Sequence, residues 1–159
     1  MKTVALFGGS FDPPHIGHEA IVKAALNFKD IKKVIVMPTY LSPFKLDSHH
    51  SSEIRFDLLN DMFKIYENVD VSRFEIEKKR QVASIESVLY LLKDYVKIYL
   101  IIGADNLESL RQWHNYEELK TRVTFLVASR DNILIPKSYL TLNIDEDISS
   151  TQIRNKLKA

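Results

Sequence analysis

Residues 3–18 read TVALFGGSFDPPHIGH. The first five residues of this stretch are apolar or β-branched and predict a strand, which Gly8 and Gly9 end. From Ile16 onward the apolar residues recur with the period of a helix, as far as Phe28. Strand, glycine turn and helix in this order are typical of the first half of a parallel strand–helix–strand unit.

The same alternation continues along the chain. Further strands are predicted at residues 33–37, 69–74, 97–102, 123–128 and 139–144. Helical stripes are predicted at Ile54, Leu58, Leu59, Met62 and Ile65, and at Ile85, Val88, Leu89 and Leu92. Residues 34–37 and 99–102 are apolar on both faces, as strands inside a covered sheet must be. We therefore expect an α/β fold with a Rossmann-like, doubly wound, mostly parallel sheet, forming a single domain over residues 1–159.

Composition excludes several classes of protein. The chain has 159 residues, of which 45% are hydrophobic and 27% charged, so it is globular rather than disordered. A net charge of +1 gives no footprint for nucleic acid. No apolar run approaches the length of a membrane span, and no signal peptide is present, so we expect a cytoplasmic protein. The absence of cysteine excludes disulfides, thiolate metal sites and cysteine nucleophiles.

The turn after the first strand is the best candidate for a site, because open parallel sheets bind ligands at the carboxyl ends of their strands. Gly8 and Gly9 let the backbone approach a ligand closely. His15 and His18, three residues apart at the start of a helix, could donate hydrogen bonds to phosphate oxygens. Taken alone, the glycines could merely form a turn and the histidines could be exposed. A metal site is disfavoured, because no carboxylate or third histidine lies at ligand spacing.

Residues 8–18 resemble the signature of the nucleotidylyltransferase superfamily, G-x-[FY]-[DQ]-P-x-[HT]-x-G-H. The resemblance implies that His15 and His18 are catalytic and lie against the phosphates of a nucleoside triphosphate. It implies an ATP site that also contains Gly8, Gly9, Ser10 and Phe11. The phosphate-binding motifs of ordinary dinucleotide dehydrogenases and of P-loop proteins are missing from the sequence.

A second match lies near the end of the chain, where residues 147–154 read DISSTQIR. Ser149 and Gln152 have the spacing of a capping box, so the stretch alone would be a capped surface helix. Beside the first motif it resembles the I-S-S-T-x-I-R element of the superfamily. That resemblance implies that Ser150, Thr151 and Arg154 hold the β and γ phosphates of ATP.

Within the superfamily the chain resembles the bacterial nicotinate-nucleotide adenylyltransferases. Residues 38–45 (PTYLSPFK) are similar to their P-x-x-x-P-P-H-K loop, residues 103–113 to their G-x-D-x(7)-W stretch, and residues 128–130 to their strand-end arginine. The resemblance implies that Trp113 stacks on the pyridine ring, that Lys45 approaches the mononucleotide phosphate and that Asp105 approaches the sugar. The implied acceptor site is completed by Ser84, Gly103 and Arg130. Without the resemblance, Trp113 would be a core residue, Lys45 a solvated lysine and Asp105 a helix N-cap.

The sequence departs from this family at the acceptor side. Ala83 stands where the family usually has tyrosine, and Phe44 replaces the histidine of its loop. The chain also ends soon after Arg154, so we expect a short member or an incomplete C-terminus. Phosphopantetheine adenylyltransferase and a non-catalytic nucleotide-binding protein on the same fold stay open as alternatives. His49 and His50 are expected to face solvent.

The implied reaction joins nicotinate mononucleotide to the adenylyl group of ATP, giving deamido-NAD and pyrophosphate in NAD biosynthesis. Mg²⁺ would arrive with ATP, held by phosphate oxygens and water rather than by a metal site of the protein. The expected partners are ATP and nicotinate mononucleotide, with no nucleic acid and no membrane. The expected state is a monomer or a homodimer.

Overall fold

The computed structural model describes residues 2–40, 50–130 and 133–144. Its strands are β1 (Thr3–Gly9), β2 (Lys33–Pro38), β3 (Val69–Val71), β4 (Lys97–Gly103), β5 (Thr124–Ala128) and β6 (Leu140–Leu142). Its α-helices are α1 (Ile16–Leu26), α2 (Ser52–Phe63), α3 (Phe74–Lys78), α4 (Ser84–Leu91) and α5 (Tyr116–Arg122). Two 3₁₀ turns, Ala104–Asn106 and Leu110–Gln112, connect β4 to α5. The strands predicted from the sequence are therefore present, with shifted ends.

The strands form one six-stranded sheet in the order β3-β2-β1-β4-β5-β6. Every pairing in the described part of the chain is parallel, which confirms the predicted α/β doubly wound sheet. β1 lies between β2 and β4, so the strand order reverses there and the loops after β1 and β4 leave toward opposite sides. This reversal opens a crevice at the carboxyl ends of β1 and β4, where folds of this kind bind ligands.

Helices cover both faces of the sheet. On one face Val22 of α1 and Leu59 and Phe63 of α2 pack against the strands. On the other face the sheet is covered by α4 and α5, through Val88 and Leu119 among others. Burial on both faces explains the continuous apolar runs of the central strands. Among the described helices, none has both the length and the apolar character needed to cross a membrane.

The predicted buried face of α2 is rotated in the structure. Ile54, Leu58 and Ile65 were expected to face the core, but they are 49%, 39% and 76% exposed. The buried face is formed by Arg55, Leu59 and Phe63, at spacings of four residues. The helix carries more apolar residues than one face can bury, so tertiary packing selects the face. Two further stripe residues, Ile16 of α1 and Leu89 of α4, are likewise exposed.

The third strand is shorter than predicted. Residues 69–74 were expected to be extended, but β3 ends at Val71 and Phe74 begins α3. The Ser72 hydroxyl accepts a hydrogen bond from the backbone N–H of Phe74 at 3.2 Å, which turns the chain out of the sheet. Phe74 therefore belongs to α3 and not to the strand, and its ring stacks on Tyr90 of α4.

Glu75 of α3 is a buried acid that contacts α4. The Ser87 hydroxyl donates to its carboxylate at 2.7 Å, but burial raises the pKa of Glu75 to about 7, with a smaller contribution from the charge of Glu86. Because this pKa lies above that of the unfolded chain, Glu75 lowers the free energy of unfolding as pH rises from about 4.5 through 7.

We expect Glu75→Gln to remove this dependence, because the amide is uncharged and can still accept from Ser87. The melting temperature of the variant should exceed that of the wild type at pH 8, and the difference should shrink toward pH 5. Glu77→Gln, at an exposed position of the same helix, is the control. An unchanged pH slope in Glu75→Gln would contradict the assignment.

Candidate active site

The loop after β1, residues 8–15, is called the signature loop below. Its main chain is held at the sheet by the Gly9 carbonyl, which accepts from the N–H of Thr39 at 2.9 Å. Phe11 adopts a left-handed backbone conformation (φ 50°), which is uncommon for a residue with a side chain. This conformation turns its ring into the core, where it packs edge-on against Phe7 and His18. Phe11 as a whole is 2% exposed, so its part in the site is to pack the signature loop against the core, and direct contact with ATP stays a prediction.

The two signature histidines lie at the start of α1, as predicted. His15 is the N-cap residue, and its Nδ1 accepts from the N–H of Gly17 at 3.0 Å. The Nδ1 of His18 accepts in turn from the N–H of His15 at 3.1 Å. The two rings are stacked with their centroids 3.8 Å apart. Each histidine therefore caps the helix through Nδ1, a reciprocal arrangement like a capping box.

This capping sets the protonation of both rings. Because Nδ1 accepts a hydrogen bond in each ring, the neutral imidazole carries its proton on Nε2. Among the described residues neither Nε2–H has a hydrogen-bond partner. Burial is the main reason that the pKa of His15 is lowered to about 4 and that of His18 to about 3. The positive charge of Arg130 contributes to both values, and His15 contributes to the lowering at His18. At neutral pH the pair therefore presents two uncharged N–H donors.

The carboxyl ends of β4 and β5 bring two more predicted residues to the same crevice. Arg130 follows β5, and its guanidinium donates to the carboxylate of Asp105 at 3.1 Å. Asp105 lies in the 3₁₀ turn after β4 rather than at the predicted N-cap of a helix. A Cβ atom at Gly103 would approach Asp105 Oδ1 to 2.5 Å, so a side chain there would displace the carboxylate. His15, Arg130 and Asp105 thus converge from three adjacent strands.

The predicted acceptor residues Ser84 and Trp113 lie on the face covered by α4 and α5. Ser84 begins α4, as expected, and no side chain caps this helix at Ala83. Trp113 ends the second 3₁₀ turn, is partly buried and packs against the core of this face. A role for either residue in binding a pyridine ring stays a prediction.

Four predicted residues lie outside the described part of the chain: Lys45, Ser150, Thr151 and Arg154. Their assigned contacts with the mononucleotide phosphate and with the outer phosphates of ATP stay predictions. Of the predicted set, the structure describes Gly8, Gly9, Ser10, Phe11, His15, His18, Ser84, Gly103, Asp105, Trp113 and Arg130.

His50 and Asp12 form a contact that the sequence did not indicate. The side chain of His50 is 37% exposed, in line with the expected solvent position, but its Nδ1 lies 2.7 Å from Asp12 Oδ1 and its backbone N–H donates to the same oxygen at 3.1 Å. His49 lies outside the described residues. Asp12 is 1% exposed, and its negative charge acts on Arg55, which is fully buried. Two features of the sequence point to Asp12 and Arg55. Asp12 lies within the signature, and Arg55 is four residues before Leu59, on the same face of the helix.

A separate groove of about 650 Å³ lies at the edge of the sheet beside β3. It is lined by Phe63, Val69, Tyr90 and Asp94, among others, and by none of the signature residues. Its volume lies in the range that is usual for pockets that bind small molecules. The signature histidines and Arg130 are absent from its lining, so the crevice at β1 and β4 is the better candidate for chemistry.

Sequence comparison assigns the chain to a known group of proteins. The family model described as cytidylyltransferase-like matches residues 6–156. A protein of Sulfurimonas denitrificans, named "Probable nicotinate-nucleotide adenylyltransferase", is 54% identical over 99% of this chain and 87% of its own length. A protein of Campylobacter fetus with the same name is 49% identical over 97% of this chain and 86% of its own length.

Structure comparison agrees about the fold. The Plasmodium falciparum nicotinic acid mononucleotide adenylyltransferase complexed with NaAD superposes with a TM-score of 0.80. The match covers 98% of this chain and 83% of that chain at 20% sequence identity. At this identity the likeness shows the shared architecture alone.

Proposed function

The chain belongs to the cytidylyltransferase-like family and, within it, to the nicotinate-nucleotide adenylyltransferases, and we propose on this premise how its residues perform the reaction. The enzyme transfers the adenylyl group of ATP to nicotinate mononucleotide, giving deamido-NAD and pyrophosphate. The observation that carries the mechanism is the stacked pair His15 and His18 after β1, whose two Nε2–H donors have no hydrogen-bond partner in the part of the chain that the structure describes.

The reaction is a direct displacement at the α-phosphorus of ATP. An oxygen of the mononucleotide phosphate forms a bond to the α-phosphorus, and the bond from that phosphorus to the bridging oxygen of pyrophosphate breaks. The acceptor phosphate is anionic at neutral pH, since its second pKa is about 6, and pyrophosphate is a good leaving group. A strong general base is therefore unnecessary, and catalysis consists of positioning and charge stabilisation.

The histidine pair supplies that stabilisation. Negative charge on the oxygens around the α-phosphorus is stabilised by positioned hydrogen-bond donors. The two Nε2–H groups are held in place because each Nδ1 is bound to backbone of the helix start. Arg130, tied to Asp105, adds positive charge at the same crevice. Donors fixed before the substrate binds cost little reorganisation when the charge develops.

Mg²⁺ enters with its substrate as the complex with ATP. We propose that phosphate oxygens and water hold this ion, as is usual for Mg²⁺ bound to nucleotides. Such an ion offsets charge on the phosphates. A cytoplasmic location and a monomeric or homodimeric state stay predictions.

The experiment that tests the function follows pyrophosphate release by the pure protein with ATP and Mg²⁺. Nicotinate mononucleotide, nicotinamide mononucleotide and phosphopantetheine are supplied in turn, and the product is identified by mass. We expect deamido-NAD and pyrophosphate in equal amounts with the first acceptor. ATP binding without turnover of any acceptor would favour the non-catalytic alternative.

Arg154, with Ser150 and Thr151, is proposed to bind the outer phosphates of ATP. We expect Arg154→Lys to weaken ATP binding although the charge is kept, because an ammonium cannot form the paired hydrogen bonds of a guanidinium. Calorimetric titration with ATP measures this directly. Arg122→Lys, on exposed α5, is the matched control. If Arg154→Lys and wild type bind ATP with equal affinity, Arg154 does not bind the outer phosphates and is a residue of a capped surface helix, as the stretch alone indicates.

A further inference from the structure

The guanidinium of Arg55 binds three separate pieces of main chain. It projects from α2, is 0% exposed and donates to the carbonyls of Ser10 at 2.7 Å, Tyr40 at 2.9 Å and His50 at 3.2 Å. A planar guanidinium has donors pointing in several directions within one plane, so it can bind three carbonyls at once. One buried side chain thus fixes the relative positions of three loop residues.

One of these carbonyls lies in the predicted ATP side, and the other two border in sequence the stretch predicted for the acceptor side. Ser10 lies in the signature loop, two residues after β1 reaches Gly8 at the crevice. Tyr40 and His50 follow β2 and precede α2, and they flank in sequence the stretch that contains Lys45, the residue predicted to approach the acceptor phosphate. Arg55 therefore links the signature loop, at Ser10, to the two residues that border the predicted acceptor stretch, Tyr40 and His50.

Asp12 adds a second connection between the same parts. Its buried carboxylate accepts from the backbone N–H of His50 and lies 2.7 Å from the Nδ1 of the same residue. Its negative charge also acts on the guanidinium of Arg55. The signature loop is therefore linked to His50 both directly, through Asp12, and through Arg55.

The packing of α2 alone does not call for a guanidinium at this position. Leu59 and Phe63 continue the same buried face of α2, and an apolar side chain of similar volume at position 55 would extend that face. Replacing a whole buried ion pair by apolar residues of similar volume is often neutral or stabilising, whereas removing only the guanidinium leaves the Asp12 charge and three carbonyls without a partner from position 55 and costs stability. What an apolar residue cannot do is hold three carbonyls in one plane.

We propose that Arg55 is a positioning residue for adenylyl transfer: it sets the signature loop against Tyr40 and His50, and so aligns the acceptor phosphate with the α-phosphorus of ATP. The proposal rests on the proposed function. In this role Arg55 touches neither substrate and acts only through the main-chain carbonyls that it binds. A misplacement of about 1 Å between reacting groups is enough to cost on the order of a hundredfold in rate.

The test compares Arg55→Met and Arg55→Lys with wild type. Methionine fills the volume without donors, and lysine keeps the charge but not the planar set of donors. In folded variants we expect kcat at saturating substrates to fall at least tenfold for Arg55→Met, with a smaller fall for Arg55→Lys. The Kd for ATP, measured by calorimetry, should change less than threefold. Arg73→Met, which removes an exposed guanidinium paired with Glu53, is the control and should keep wild-type kcat.

Each outcome decides the question. A kcat for Arg55→Met within twofold of wild type would overturn the proposal. Failure of both variants to fold, seen by circular dichroism, would also overturn it, since the guanidinium would then be needed for stability. If wild type forms no dinucleotide from ATP and nicotinate mononucleotide, the proposed function fails instead, independently of Arg55.

Discussion

His18→Ala is expected to lower kcat for adenylyl transfer by about a hundredfold or more, with a much smaller change in the KM for ATP. The physical reason is the loss of a positioned donor at the α-phosphate as negative charge grows there, which typically costs about 3 kcal/mol of transition-state stabilisation. Because the Nδ1 of His18 accepts from the backbone N–H of His15, the proton of the neutral ring is on Nε2, and no described residue accepts from it. Steady-state kinetics with varied ATP measures both constants.

A second variant separates catalysis from helix capping. His18→Asn places an amide oxygen close to the position of Nδ1, so it can still accept from the N–H of His15, but it removes the Nε2 donor. We expect His18→Asn to melt closer to wild type than His18→Ala and to lose a similar part of kcat. If either folded variant keeps more than about half of wild-type kcat, His18 is a capping residue and not a catalytic one.

The other large effect concerns the acceptor. Nicotinate mononucleotide carries a carboxylate where nicotinamide mononucleotide carries a neutral amide. No described side chain caps the start of α4 at Ser84, and we propose that main-chain N–H donors of its first turn bind the carboxylate. Because these donors belong to the backbone, the alanine at position 83 does not remove them. We expect the acid to be preferred in kcat/KM by at least about a hundredfold, a margin of roughly 2.7 kcal/mol.

The measurement compares the two mononucleotides at fixed, saturating ATP. A Ser84→Pro variant removes one N–H donor at a helix position that tolerates proline, and it should reduce the preference while leaving the amide substrate little changed. Equal kcat/KM for acid and amide in wild type would contradict recognition of the carboxylate. Activity with phosphopantetheine alone would favour the alternative family.

The structure also changes how the histidines are understood. The sequence indicated two imidazoles near an anion, which could have been charged or neutral. Burial, and to a smaller extent the nearby Arg130, lowers the pKa of both, and His15 adds to the lowering at His18, so the free enzyme holds them neutral. The neutral histidines therefore do not form ion pairs with the phosphate of ATP. Two N–H groups in fixed positions donate hydrogen bonds to it instead.

The sequence by itself determined the parallel sheet, the strand–turn–helix unit of residues 3–26 and the place of His15 and His18 at the start of α1. These features depend on short-range properties: apolar periodicity, glycine after a strand and side chains that cap the next turn. The exposed side of α2 was less determined, because its apolar residues outnumber those that one face can bury. A rotation of the helix by one residue exchanges Ile54 for Arg55 in the core.

Only the tertiary structure decided which distant residues meet. Arg130 and Asp105 are 25 positions apart, and Arg55 and the carbonyl of Ser10 are 45 apart. No local pattern encodes such contacts, because they arise from the order of strands in the sheet, which places the ends of β1, β4 and β5 side by side. The order of strands decides which loops are adjacent. The guanidinium of Arg55 can bind three carbonyls only because this order places Ser10, Tyr40 and His50 within hydrogen-bond distance of it.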